Sequence, residues 1–92
     1  MIYRLQKTTQ FKKDCKLMKR RGLDLKVLTG IIDLLQKGQP LPPENRDHDL
    51  VGDFAGFREC HIQPDWLLIY YIRHDRLVLV CARTGSHSDL FG

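Results

Sequence analysis

Residues 57–83 read FRECHIQPDWLLIYYIRHDRLVLVCAR, and the period of this stretch settles the class of fold. Apolar and polar positions alternate in FRECHI (Phe57–Ile62), while β-branched and aromatic residues fill WLLIYYI (Trp66–Ile72) and RLVLVCAR (Arg76–Arg83). That composition predicts three strands. A Gln63-Pro64 turn and the polar Arg73-His74-Asp75 join them, and connections this short predict an antiparallel meander. Alternation puts Cys60 and Ile62 on one face of the first strand, with Phe57, Glu59 and His61 on the other. If helices cover the Cys60 face, His61 lies on an open one.

The helices are found upstream. Ile2 to Gln6 of MIYRLQK (residues 1–7) alternate as in a half-buried strand. Thr8 or Thr9 can then cap a helix with the apolar stripe Phe11, Cys15 and Met18, its lysines turned elsewhere, until Gly22 stops it. Asp24 is a good cap for a second helix, where Leu25, Leu28, Ile32 and Leu35 repeat at helical spacing until Gly38. Gly30 costs the middle of this helix about 1 kcal/mol relative to Ala unless another backbone packs closely there. GQPLPPENRDHDLVGD (residues 38–53), with three prolines and two glycines, is expected to be a connecting loop. The fold class is therefore α+β: two antiparallel helices on a small, mainly antiparallel sheet, in the order β-α-α-β-β-β. At 92 residues the chain is expected to form a single domain, residues 1–92.

Charge is distributed unevenly. Residues 1–26 carry nine Lys or Arg against two Asp, a net +7, whereas residues 27–65 sum to −4 and residues 66–92 to +1. A basic block of this kind suits a polyanion or an acidic partner, although Lys-rich helix faces are often merely solvated. The longest apolar run, Trp66–Ile72, is far shorter than the roughly 20 residues of a membrane span, so no membrane association and a cytoplasmic location are expected. Cys15, Cys60 and Cys81 are odd in number and include no Cys-x-x-Cys, which argues against disulfides and zinc ribbons. Cys60 and Cys81 fall at apolar positions and read as small core residues.

His48, His61 and His87 lie in loops or at strand ends, whereas His74 sits in a hairpin turn and reads as a solvated turn residue. Imidazoles titrate near neutrality, so a pair can both accept and donate a proton in one reaction cycle. RNA cleavage by its own 2'-hydroxyl requires this: one group removes the hydroxyl proton, another protonates the departing 5'-oxygen, and Arg58 or Arg83 can steady the phosphate charge. Trp66 is either an edge-packing residue or a platform on which a base stacks. Phe91 either docks the tail or lines a site beside His87, and Arg83 either holds a phosphate or pairs with Asp65. His61, Asp65 and His87 could also coordinate zinc, but no H-E-x-x-H or paired cysteine supports that reading, and no metal or cofactor is assigned.

The stretches DHDLVGDFAGFRECHIQPDWLLIY (Asp47–Tyr70) and RTGSHSDLFG (Arg83–Gly92) resemble the YafQ branch of the RelE-type toxins of bacterial toxin–antitoxin modules. The order of elements matches over essentially the whole chain. The resemblance implies a ribosome-dependent messenger RNA endoribonuclease that cuts in the ribosomal A site without a metal and is neutralised by a cognate acidic antitoxin. Carried over by motif, His48 of DHDL, His61 and Asp65 of HIQPDW and His87 of TGSH are the proton-transfer set, with Trp66, Arg83 and Phe91 positioning the RNA. His87, on a flexible tail, is assigned as general acid, His48 or His61 as base, and Asp65 as the residue that orients a ring. The basic first helix would meet ribosomal RNA, and operator DNA would be bound only through the antitoxin complex. The alternative on the same fold is a non-catalytic binder, either a ParE-like gyrase inhibitor or an RNA-binding module, which needs no histidine set.

Overall fold

In a computed structural model that describes residues 2–92, β1 (Arg4–Lys7) is followed by α1 (Thr9–Arg20), α2 (Leu25–Gln36), β2 (His48–Asp49), β3 (Arg58–Gln63), β4 (Trp66–Arg73), β5 (Val78–Gly85) and α3 (His87–Phe91). The five strands form one sheet in the order β1-β5-β4-β3-β2. β3, β4 and β5 are the antiparallel meander, and β1 adds to β5 in parallel. Of the strand expected over residues 1–7, Arg4–Lys7 is formed, and Met1 lies outside the described residues.

Both long helices begin at the expected caps. The Thr8 side chain accepts from the Phe11 N–H, and the Asp24 carboxylate accepts from the Lys26 N–H. α1 ends where the Gly22 N–H donates to Lys19 and the Leu23 N–H to Met18, a closure that needs the positive φ of 86° that Gly22 adopts without strain. Phe11, Met18, Leu28, Ile32 and Leu35 then bury against Cys60, Ile62, Trp66, Leu68, Tyr70, Leu79 and Cys81 of the sheet. Burial pushes the thiol of Cys60 well above the usual cysteine range and that of Cys81 up to about 12, which makes both inert filling of this layer. Gly30 has no neighbour within 4 Å of where a Cβ would stand, so no close backbone explains it.

Three features depart from the sequence reading. The loop over residues 38–53 contains a 3-10 turn at Pro43–Asn45 and a two-residue strand, β2, that pairs His48 with Glu59 and Asp49 with Arg58. A pairing of two residues is too short to leave a period. β5 begins at Val78, two residues later than expected, because the preceding turn carries Leu77 at φ 52°. The tail is helical: Ser86 and Asp89 form a reciprocal capping box that starts α3. α3 and the segment before β3 cover part of the second sheet face, where Leu67, Ile69 and Leu90 pack with Leu50, Phe54 and Phe57. No helix among the described residues is long and apolar enough to cross a membrane.

Candidate functional site

Alternation along β3 turns Glu59 and His61 away from the helices, and β2 lays His48 directly opposite Glu59. The Glu59 side chain is only 6 % exposed. Its Oε1 lies 3.9 Å from His48 Nε2 and 3.6 Å from His61 Nε2. α3 brings His87 to the same place, with its ring centroid 5.7 Å from that of His61. Three histidines far apart in sequence thus gather around one buried carboxylate, which sequence reasoning had placed on this face without giving it a part.

Each ring is held by Nδ1. In His48 that nitrogen contacts the Arg46 carbonyl, and in His61 it lies 3.2 Å from the Pro64 carbonyl. A carbonyl only accepts, so Nδ1 carries the proton in both rings. His87 Nδ1 donates to Asp65 Oδ1 at 2.7 Å, and the His87 backbone N–H donates to the same oxygen at 3.1 Å. These two hydrogen bonds, the backbone one first, lower the pKa of Asp65 and keep it an ionised acceptor. With Nδ1 occupied in all three rings, Nε2 is the atom left to exchange a proton.

Two long-range clamps hold the tail in position. Arg21, at the end of α1, makes a two-pronged pair with Asp89 at 2.6 and 2.9 Å, and the guanidinium holds that carboxyl well below the usual carboxylate range. Gly85 lets Asp89 approach, since a Cβ there would stand 2.9 Å from the Asp89 Cβ. Asp14 of α1, 6 % exposed, accepts from Arg83 Nε at 2.7 Å, Arg83 Nη2 at 3.3 Å and the Thr84 N–H at 3.1 Å. Arg83 is therefore paired with Asp14 and not with Asp65, and among the described residues its Nη1 has no hydrogen-bond partner. Phe91 is 44 % exposed and stacks edge-on to Phe54 at 5.2 Å, with the His87 ring 6.4 Å away.

Two candidates are corrected. Trp66 is 2 % exposed, and its Nε1–H donates to Thr84 Oγ1 at 2.9 Å. It shares the helix-covered face with Leu68 and Tyr70, so no base can stack on it. Arg58 shares the face of Cys60, donates to the Tyr70 hydroxyl and pairs with Asp47 at 3.1 Å and with Asp49. It fastens the segment that precedes His48 and has its back to the histidines. The zinc donors weighed from sequence also change: the ligand atoms that converge, all within 4.8 Å of one another, are those of Glu59, His61 and His87, with Asp65 outside the set.

A family model described as the bacterial toxin of type II toxin–antitoxin systems, YafQ, matches residues 3–92. The chain is 42 % identical over 94 residues to the mRNA interferase toxin YafQ of Escherichia coli K12, with both sequences covered in full. Among solved structures it is similar to a metal-bound toxin from Helicobacter pylori, with 42 % identity and a TM-score of 0.91 over 99 % of this chain and 100 % of that one. It is also similar to the E. coli DinJ–YafQ toxin–antitoxin complex, with 36 % identity and a TM-score of 0.89 over 100 % of both chains.

Proposed function

The chain belongs to the YafQ family of bacterial toxins from type II toxin–antitoxin systems, and from that premise we propose that it is an mRNA endonuclease held in check by a cognate antitoxin. The relative of known activity is named an mRNA interferase, and a YafQ toxin is found in complex with its antitoxin DinJ. The observation that carries the reading is the gathering of His48, His61 and His87, each tethered through Nδ1 with Nε2 left to work.

In the reaction the 2'-hydroxyl attacks the adjacent phosphorus as its proton passes to a base, and the departing 5'-oxygen takes a proton from an acid. His61 and His87 are near enough for one phosphodiester to reach both rings. His87 is the acid, because Asp65 fixes its Nδ1–H and supports the ring that carries the second proton on Nε2. His61 is the base, and His48, across Glu59, completes the proton network. Arg83 Nη1 is the cation for the phosphate oxygens, and Phe91 is the ring against which a base rests. Proton transfer between imidazoles needs no metal ion.

Cleavage takes place in the cytoplasm, in the ribosomal A site. The exposed Lys12, Lys13, Lys16, Lys19 and Arg20 of α1 offer sequence-independent contacts to ribosomal RNA phosphates. An acidic antitoxin competes for this surface, and operator DNA is reached only through the antitoxin complex. The test is purified protein, freed of transition metals beforehand, with translating ribosomes in their ordinary magnesium buffer and no other metal added. Cuts should map to A-site codons in wild type and vanish when His48, His61 and His87 are together replaced by Ala. Growth arrest that survives the triple replacement would establish a non-catalytic binder instead.

A further inference from the structure

Beside His61, and outside the ring of histidines, lies a cavity of about 490 Å³ lined by Glu44, Asn45, Arg46, His61, Gln63 and Pro64. It is built by the 3-10 turn Pro43–Asn45 packing alongside the end of β3, where the Asn45 amide donates to the His61 carbonyl at 2.7 Å. Asn45 is 7 % exposed, so this wall is fixed to the strand that carries the base. Arg46 stands in the left-handed region at φ 46° and ψ 46°, a conformation that costs a non-glycine residue on the order of 1 kcal/mol or more. The carbonyl of the same residue receives Nδ1 of His48. One strained residue therefore turns its backbone to the histidine cluster while its side chain lines the neighbouring cavity.

The lining also carries uncommitted polar groups. Among the described residues the side chains of Glu44, Arg46 and Gln63 form no hydrogen bond or ion pair with the protein, unlike Arg21, Arg58 and Arg83, which are all bound to carboxylates. A carboxylate, a guanidinium and a primary amide around one hollow offer donors and acceptors in the mixture that base edges display, together with one cation for a phosphate. Because the hollow shares His61 with the proton-transfer set, it borders the place where a scissile phosphate between His61 and His87 would sit.

We propose that this cavity receives the nucleotide that flanks the scissile bond, its base read by Glu44 and Gln63 and its phosphate met by Arg46, so that codon preference is set here. The proposal rests on the nuclease reading above. The test is a map of cleavage across a panel of A-site codons on translating ribosomes, with steady-state kinetics, for wild type, Glu44→Ala, Arg46→Ala, Gln63→Ala and His87→Ala. Glu44→Ala and Gln63→Ala should each lower discrimination between preferred and disfavoured codons by about tenfold or more, the scale of a lost base contact. Arg46→Ala should raise KM at every codon. His87→Ala, by contrast, should depress all codons in proportion through kcat. If all three cavity variants reproduce the wild-type codon profile and KM, the proposal is overturned while the nuclease reading stands. The same holds if they lose only antitoxin affinity, which would make the hollow a protein-docking groove. Wild type that cuts nothing would remove the nuclease reading and this proposal with it.

Discussion

The two faces of β3 differ in what covers them. On one, Cys60 and Ile62 are closed over by helices, and burial raises the pKa of the Cys60 thiol and of the Tyr70 hydroxyl beside it. On the other, one residue away along the same backbone, Glu59 and His61 face the histidine cluster, with His61 Nε2 3.6 Å from Glu59 Oε1. The strand supplies rigidity to both through a single set of backbone hydrogen bonds. A domain this small can thus hold its candidate site groups in register without a separate scaffold, because the core residues that fix the pleat alternate with the residues of the site.

That contrast can be broken most directly at His87, whose side chain is 54 % exposed. His87→Ala should cost cleavage about 10²–10⁴-fold and leave the melting temperature within a few degrees of wild type; a large loss of stability would mean that the open face is structural after all. Trp66 should behave in the opposite way. Trp66→Ala is expected to remove about 3–5 kcal/mol of stability, read by denaturant unfolding, and Trp66→Phe should stay folded and keep its codon profile. A selective loss of cleavage in a folded Trp66→Phe would return that ring to the substrate.

Two smaller effects sharpen the comparison. The folded pKa of Asp89 is depressed, so its pairing with Arg21 contributes stability above the unfolded carboxylate pKa of about 3.9 and loses it as pH falls below that value. The melting gap between wild type and Asp89→Asn should be constant from pH 8 to 5 and close below about pH 4; a gap that already closes between pH 7 and 5 would point to histidine as its source. Smallest is Gly30→Ala, which meets no neighbour and should stabilise α2 by about 1 kcal/mol. A destabilised Gly30→Ala would mean that the glycine has a use that the packing does not reveal.

The long elements were legible because their periods are long. The stripe Phe11, Cys15, Met18 and the alternation through Cys60 and Ile62 each repeat often enough to exclude other readings. β2 and α3, with two and five residues, do not. They are also the elements that deliver His48 and His87, which is why the histidines could be named from motif while the carboxylate they share could not. The error at Arg58 was avoidable, since position 58 follows the parity of 60 and 62. Trp66 was not, for its face depends on the pairing of Cys60 with Leu68 across a turn whose register shifts between His61 and Gln63.

The parallel pairing of β1 with β5 carries one more implication. The first strand of the chain finds its partner only in the last, Arg4 against Val78 and Lys7 against Cys81, and His87 follows later still. During synthesis the sheet therefore stays open at β4 until β5 has been translated, and the histidine cluster is incomplete until α3 follows it. The cluster thus forms only after the sheet that carries it can close.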